Sequence, residues 1–121
     1  MLSVGVDITE LQRIKAVVAR WGPRFLHRIY TADELVYCRG AIPELAARFA
    51  AKEAISKALG TGIVGISWRE MEILPNKAGK PLVTLYGRAL ARAEILGLSE
   101  WAISLSHTDR DAIALVVATD H

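Results

Sequence analysis

Arg48-Phe49-Ala50-Ala51-Lys52-Glu53-Ala54-Ile55-Ser56-Lys57-Ala58-Leu59-Gly60-Thr61-Gly62 decides the fold of this chain, because it sets a single carboxylate among basic side chains on a helix made mostly of alanine. At about 100° per residue, Ala46, Phe49, Glu53 and Lys57 fall on one side, and Ala47, Ala51, Ala54 and Ala58 form a neighbouring stripe. Side chains this small let a helix press its backbone close to a sheet. Glu53 and Lys57 are then left at the edge of that contact, partly desolvated and one turn apart. On an arbitrary solvated helix such a pair contributes only roughly 0.2–0.5 kcal/mol and carries no function.

Outward from that helix, Pro43 suits a first helical position and Gly60 a stop, which predicts a helix over 43–59. Thr31 and Glu34 make a capping-box pair that opens a short helix through about Tyr37, ended by Gly40. Residues 25–30 read as a short helical or irregular piece. An earlier helix, with Leu11, Ile14, Val17 and Val18 at helical spacing, is expected to be capped by Thr9 with Gln12 three residues on, and to stop at Gly22-Pro23. Residues 2–8 read as a strand. Later come strands at 70–75 and 81–86 around the turn Asn76-Lys77-Ala78-Gly79-Lys80, then a helix over 88–96 with Leu90, Ala91 and Ile95 inward, and strands at 101–106 and 113–119. The expected fold is α+β: one domain over 1–121, mainly antiparallel sheet in which the first strand joins the late ones, with helices packed on one side.

With 121 residues, 52% of them hydrophobic, a continuous core is within reach, and the apolar excess for so small a chain predicts an oligomer that buries part of its surface against copies of itself. No apolar run approaches a bilayer span and no secretory signal opens the chain, so a cytoplasmic protein without membrane partners is expected. Cys38 is the only cysteine, which excludes an internal disulfide and any multi-cysteine zinc site. The net charge of +2 is mild, yet Arg13, Lys15, Arg20, Arg24 and Arg28 gather in one early stretch opposed only by Glu10. This is a basic patch for an acidic partner.

Asp7 stands at the mouth of an otherwise apolar strand, where an acid is costly unless a cation, a helix terminus or water meets it. Capping the next helix and holding a metal both remain open for it. Paired with Glu53, it offers two hard oxygen ligands without imidazole or thiolate company, a set that suits Mg²⁺ with its remaining coordination from water and substrate phosphate. His107 leaves the end of the Ile103-Ser104-Leu105-Ser106 strand toward a cleft, and Lys77 and Lys80 flank Gly79 in a turn able to meet phosphate. The glycines near Thr61 match no nucleotide loop, since Gly-x-x-x-x-Gly-Lys-Ser/Thr is absent. Two other function classes fit part of the chain. A small basic binding module, for nucleic acid or an acidic protein, would use the Arg13 to Arg28 region with Trp21 and Phe25 but leave both acids idle; a Mg²⁺-dependent phosphohydrolase would use the acids with water as nucleophile.

Gly5-Val6-Asp7-Ile8-Thr9-Glu10-Leu11 with Arg13-Ile14, then Arg48-Phe49-Ala50-Ala51-Lys52-Glu53-Ala54 with Lys57-Ala58 and Gly60-Thr61-Gly62, resemble the holo-acyl-carrier-protein synthase family of 4'-phosphopantetheinyl transferases. The resemblance continues through Asn76-Lys77-Ala78-Gly79-Lys80-Pro81 and Ser104-Leu105-Ser106-His107-Thr108 and so spans nearly the whole chain. It implies transfer of phosphopantetheine from coenzyme A to a serine of apo acyl carrier protein, releasing adenosine 3',5'-bisphosphate, with Mg²⁺, in support of fatty acid biosynthesis. It also implies that Asp7 and Glu53 bind the metal and, with Lys57, form the catalytic set. By the same resemblance Lys57 contacts phosphate, and Arg48, Lys80, Pro81 and His107 line the coenzyme A site. Arg13, Arg20 and Arg24 are the implied carrier contacts, and a homotrimer with active sites between subunits is the implied assembly, with neither nucleic acid nor membrane as a partner. The group that takes the serine proton stays open among Glu53, an activated water, Asp33 and Glu34. Ahead of Arg48, where the family pattern is basic, this chain has Ile42-Pro43-Glu44-Leu45.

Overall fold

A computed structural model describes residues 1–120. Strand β1 (Leu2–Glu10) leads into three helices, α1 (Leu11–Trp21), α2 (Pro23–Ile29) and α3 (Ala32–Cys38), and then into the long α4 (Ile42–Ala58). A single 3-10 turn, Trp68–Glu70, precedes the hairpin β2 (Met71–Pro75) and β3 (Pro81–Leu85), after which come α5 (Gly87–Leu96), β4 (Glu100–His107) and β5 (Asp111–Thr119). The strands form two antiparallel sheets: a three-stranded one ordered β1-β5-β4, and the hairpin β2-β3 by itself. The first strand therefore joins the late ones, as the apolar patterning predicts, and the fold is α+β.

Helix α4 is the structural axis. Ala46, Ala47, Ala50, Ala51, Ala54 and Ala58 are all buried along it, and the alanine stripe lies against β1 and β5. The approach is so close that a Cβ on Gly5 of β1 would overlap the Ala54 carbonyl. Glycine at this position is a packing requirement and has nothing to do with a turn. The helix ends as expected, with Leu59 at its cap and Gly60 at a φ of 76°.

Two local expectations are corrected. Thr9 does not cap α1: pairing of β1 with β5 continues through Thr9↔Ala112 and Glu10↔Asp111, so Thr9 stays extended and points inward, where its buried hydroxyl finds no partner among the described residues. The ladder outcompetes the side-chain cap, and α1 starts at Leu11 with no side-chain cap bond. On α5 the inward residues are Ala89 and Ala93, whereas Leu90, Ala91 and Ile95 face out, Ile95 with 77% of its surface exposed. Small residues again win the face that packs closely.

The sheet's second face is left open. Leu2, Val4, Val6 and Ile8 of β1 are exposed, and the register Val6↔Leu115 and Ile8↔Ile113 puts exposed Leu115 and Ile113 of β5 beside them. This is a contiguous apolar surface.

Candidate active site

Alternation along β1 turns Gly5, Asp7 and Thr9 toward α4 while Val4, Val6 and Ile8 face away. Asp7 thus arrives beside the turn of α4 that carries Glu53 and Lys57. Lys57 Nζ donates to Asp7 Oδ1 at 2.8 Å and to the Val6 carbonyl at 3.1 Å. Asp7 caps no helix, and the partner of Lys57 is Asp7 across the strand rather than Glu53 one turn away.

Glu53 completes the group. Its carboxyl is held above the usual glutamate value by burial first, then by the negative charge of Asp7 and a hydrogen bond shared with it; Arg13 and Lys57 pull the other way. Lys57 in turn is raised by its hydrogen bond to Asp7. Two acids 46 positions apart therefore lie close enough for their charges to act on each other, an arrangement that repels itself unless a proton or a cation lies between the carboxyl groups. A divalent hard cation fits this donor set. Among the described residues no cluster of three or more acid, histidine or cysteine ligands occurs, so any such ion would draw its other ligands from water and from a bound substrate.

The remaining predicted residues gather elsewhere. Arg48, Lys80, Pro81 and His107 line one cleft of about 420 Å³ with Tyr37, Glu44, Gly79, Ser104 and Ser106. Asp7, Glu53 and Lys57 are not among its lining. Arg48 and Glu53 are five residues apart on α4, which turns them to different sides of the helix. Arg48 is itself buried: its Nε donates to the Ile73 carbonyl at 3.0 Å, its Nη1 meets Glu44 Oε2 at 3.0 Å, and its guanidinium stacks 4.5 Å from the Tyr37 ring centre. Lys80 and His107 are exposed at the cleft mouth.

A third surface carries the early arginines. Arg20 and Arg24 lie over the Trp21 ring at 4.9 and 5.9 Å, and Arg24 and Arg28 edge an apolar groove of about 460 Å³ formed by Val17, Trp21, Phe25, Ile29, Phe49 and Trp68. Phe49 stacks on Trp68 at 4.9 Å, and Arg13 lies 5.6 Å over the Phe49 ring. The Arg13 charge also acts on Glu53, so one side chain touches both Phe49 of the groove and the field of the acid pair.

One feature escaped the sequence reading altogether. Lys52, next to Glu53, is completely buried, with its Nζ 2.7 Å from Glu34 Oε1 and donating as well to the Trp68 and Met71 carbonyls. Glu34 is equally buried and also accepts from the backbone N–H groups of Thr31 and Ile73. Glu34 is thereby saturated and walled off, which removes it from the groups able to take a substrate proton. Cys38 is buried, and desolvation pushes its thiol up to about 11, which leaves it without thiolate character.

A family profile described as the 4'-phosphopantetheinyl transferase superfamily matches residues 3–115. The chain is 53% identical over 120 residues to the holo-acyl-carrier-protein synthase of Dehalococcoides mccartyi, covering 99% of this chain and 100% of that one. Its fold is similar to that of the Helicobacter pylori holo-acyl-carrier-protein synthase in complex with coenzyme A, at a TM-score of 0.88 and 33% identity over 96% of this chain and 99% of the other. It is similar as well to a Bacillus anthracis holo-acyl-carrier-protein synthase in complex with CoA (3',5'-ADP), at a TM-score of 0.81 and 32% identity over 98% and 96% of the two chains.

Proposed function

The chain belongs to the holo-acyl-carrier-protein synthases of the 4'-phosphopantetheinyl transferase superfamily, and from that membership we propose that it moves phosphopantetheine from coenzyme A to a serine of apo acyl carrier protein, with adenosine 3',5'-bisphosphate as leaving group. The observation that carries this reading is the gathering of Asp7 and Glu53, whose charges act on each other, with Lys57 bonded to Asp7. In the transfer, the serine oxygen forms a bond to the phosphorus of the phosphopantetheine arm, the bond from that phosphorus to the bridging oxygen of the pyrophosphate breaks, and the serine proton is given up.

Asp7 and Glu53 are the residues that would hold Mg²⁺. When bound, that ion supplies positive charge to the pyrophosphate oxygens. Lys57, exposed at the rim of the acid pair, offsets charge that develops on the departing phosphate. Glu53 or a water beside it is the acceptor for the serine proton, because Glu34 is sealed and Asp33 lies exposed on α3. Arg48, Lys80, Pro81 and His107 receive the coenzyme in their cleft. The acidic helical carrier docks on Arg20 and Arg24 around Trp21, with Arg13 orienting it toward the acids.

A homotrimer accounts for two features together: the open apolar face of β1 and β5, and the absence of the acid pair from the lining of the cleft. In that assembly the acids of one subunit complement the cleft of its neighbour. Support of fatty acid biosynthesis in the cytoplasm is the corresponding cellular role; among the described residues no helix is long and apolar enough to cross a membrane. Incubation with coenzyme A, Mg²⁺ and an apo carrier, followed by mass spectrometry of the carrier, tests the proposal. A gain of one phosphopantetheine per carrier is expected, and an unchanged carrier mass with coenzyme A hydrolysed would assign the chemistry to water instead.

A further inference from the structure

The cleft that gathers Arg48, Lys80 and His107 contains one acid, Glu44. Its Oε2 lies 3.0 Å from Arg48 Nη1, with 38% of the Glu44 side chain exposed against 3% of the Arg48 side chain. A negative charge in a cleft meant for a polyanion opposes binding unless it serves to place a partner. Arg48, however, is placed without it: Nε is anchored on the Ile73 carbonyl, Nη1 also reaches the Glu44 backbone carbonyl at 3.4 Å, and Tyr37 covers the guanidinium plane. The carboxylate therefore adds charge rather than position.

We infer that Glu44 is a specificity-determining residue, a resident anion on Arg48 with which the phosphate groups of the ligand must compete, so that the cleft discriminates among ligands by their charge. This rests on the reading of the cleft as the coenzyme A site. Coenzyme A and the nucleotide released from it are both anionic, so Glu44 weakens the hold on both and thereby speeds departure of the product.

The test compares binding of coenzyme A, 3'-dephospho-coenzyme A and pantetheine 4'-phosphate by calorimetry in the full-length protein and in Glu44→Gln, which keeps size and hydrogen-bonding capacity. Coenzyme A should bind roughly 3- to 10-fold tighter to Glu44→Gln, as expected for removing one like charge at a partly exposed site. The dephospho compound should gain less and pantetheine 4'-phosphate least, and in turnover the KM for coenzyme A should fall while that for the carrier holds. Unchanged or weaker coenzyme A binding in Glu44→Gln would make Glu44 a mere organiser of Arg48 and overturn the inference. The variant Lys80→Ala/His107→Ala separates the two layers of the argument: if it weakens coenzyme A binding while Glu44→Gln fails to tighten it, only the role of Glu44 falls. If Lys80→Ala/His107→Ala leaves the affinity where it was, the cleft reading falls and the inference with it.

Discussion

Removing either carboxylate of the acid pair separates activity from stability. Asp7→Ala and Glu53→Ala are each expected to lower kcat/KM by about 100-fold or more, the scale set by losing an electrostatic group aimed at a transition state. Both should still melt cooperatively, because neither deletion leaves a cavity in the apolar core; retention of Mg²⁺-dependent turnover in both variants would contradict the site assignment. The acid pair also fixes a pH response. Glu53 has a folded-state pKa raised above its ordinary 4.5, so the fold favours its protonated form. Without metal, this group's contribution to stability is fully present below 4.5 and is lost as pH rises through the raised folded value. Thermal melts in chelator should therefore show a decline across that window that Mg²⁺ reverses and Glu53→Gln abolishes. That Asp7, Glu53 and Lys57 gather in space was legible in the sequence, because an acid at a strand mouth and an acid on an alanine helix are both out of place unless they meet. Glu34–Lys52 was not, since its members are 18 positions apart and nothing in either segment reveals that both are sealed from solvent.

At the scale of elements, α4 carries the site, and its seating on β1 depends on an absent side chain. Gly5→Ala must push the Ala54 backbone away, which should cost roughly 1–3 kcal/mol in urea unfolding, toward the upper end because a helix backbone cannot rotate aside. Activity should fall with it, since Asp7 follows Gly5 by two residues on the same face. The Lys52–Glu34 pair pins the same helix to α3 and to the start of β2. Lys52→Ala leaves a buried carboxylate uncompensated and should destabilise by about 3–5 kcal/mol, against a much smaller loss for Glu44→Ala on the exposed side of its own ion pair. Element types and order could be read from periodicity, caps and glycines; faces were harder. On α5 both the 89, 93 stripe and the 91, 95 stripe satisfy helical spacing, and only the depth available under the helix chooses the alanines. Thr9 shows the same limit in a strand, where a capping signal loses to a ladder whose partner lies over 100 positions away.

For the whole molecule, the open sheet face is where the proposed homotrimer is tested. Replacing Val4 and Leu115 together by Lys should leave the protomer folded but shift sedimentation from trimer to monomer, with loss of transfer. Neutralising Arg20 and Arg24 should instead weaken carrier binding and its salt dependence while coenzyme A affinity stays constant, as calorimetry with each ligand would show. The proposed assembly has only a compositional signal in the sequence, a large apolar fraction for 121 residues, and no motif marks which face it would occupy. Placing the acids and the cleft on separate sides of α4 has a genetic corollary. A cell carrying two damaged alleles, one lacking Glu53 and the other lacking Lys80 and His107, would build mixed rings in which an intact acid pair meets an intact cleft at some of the junctions. Such mixed rings of the proposed trimer would recover transfer activity that neither variant shows by itself.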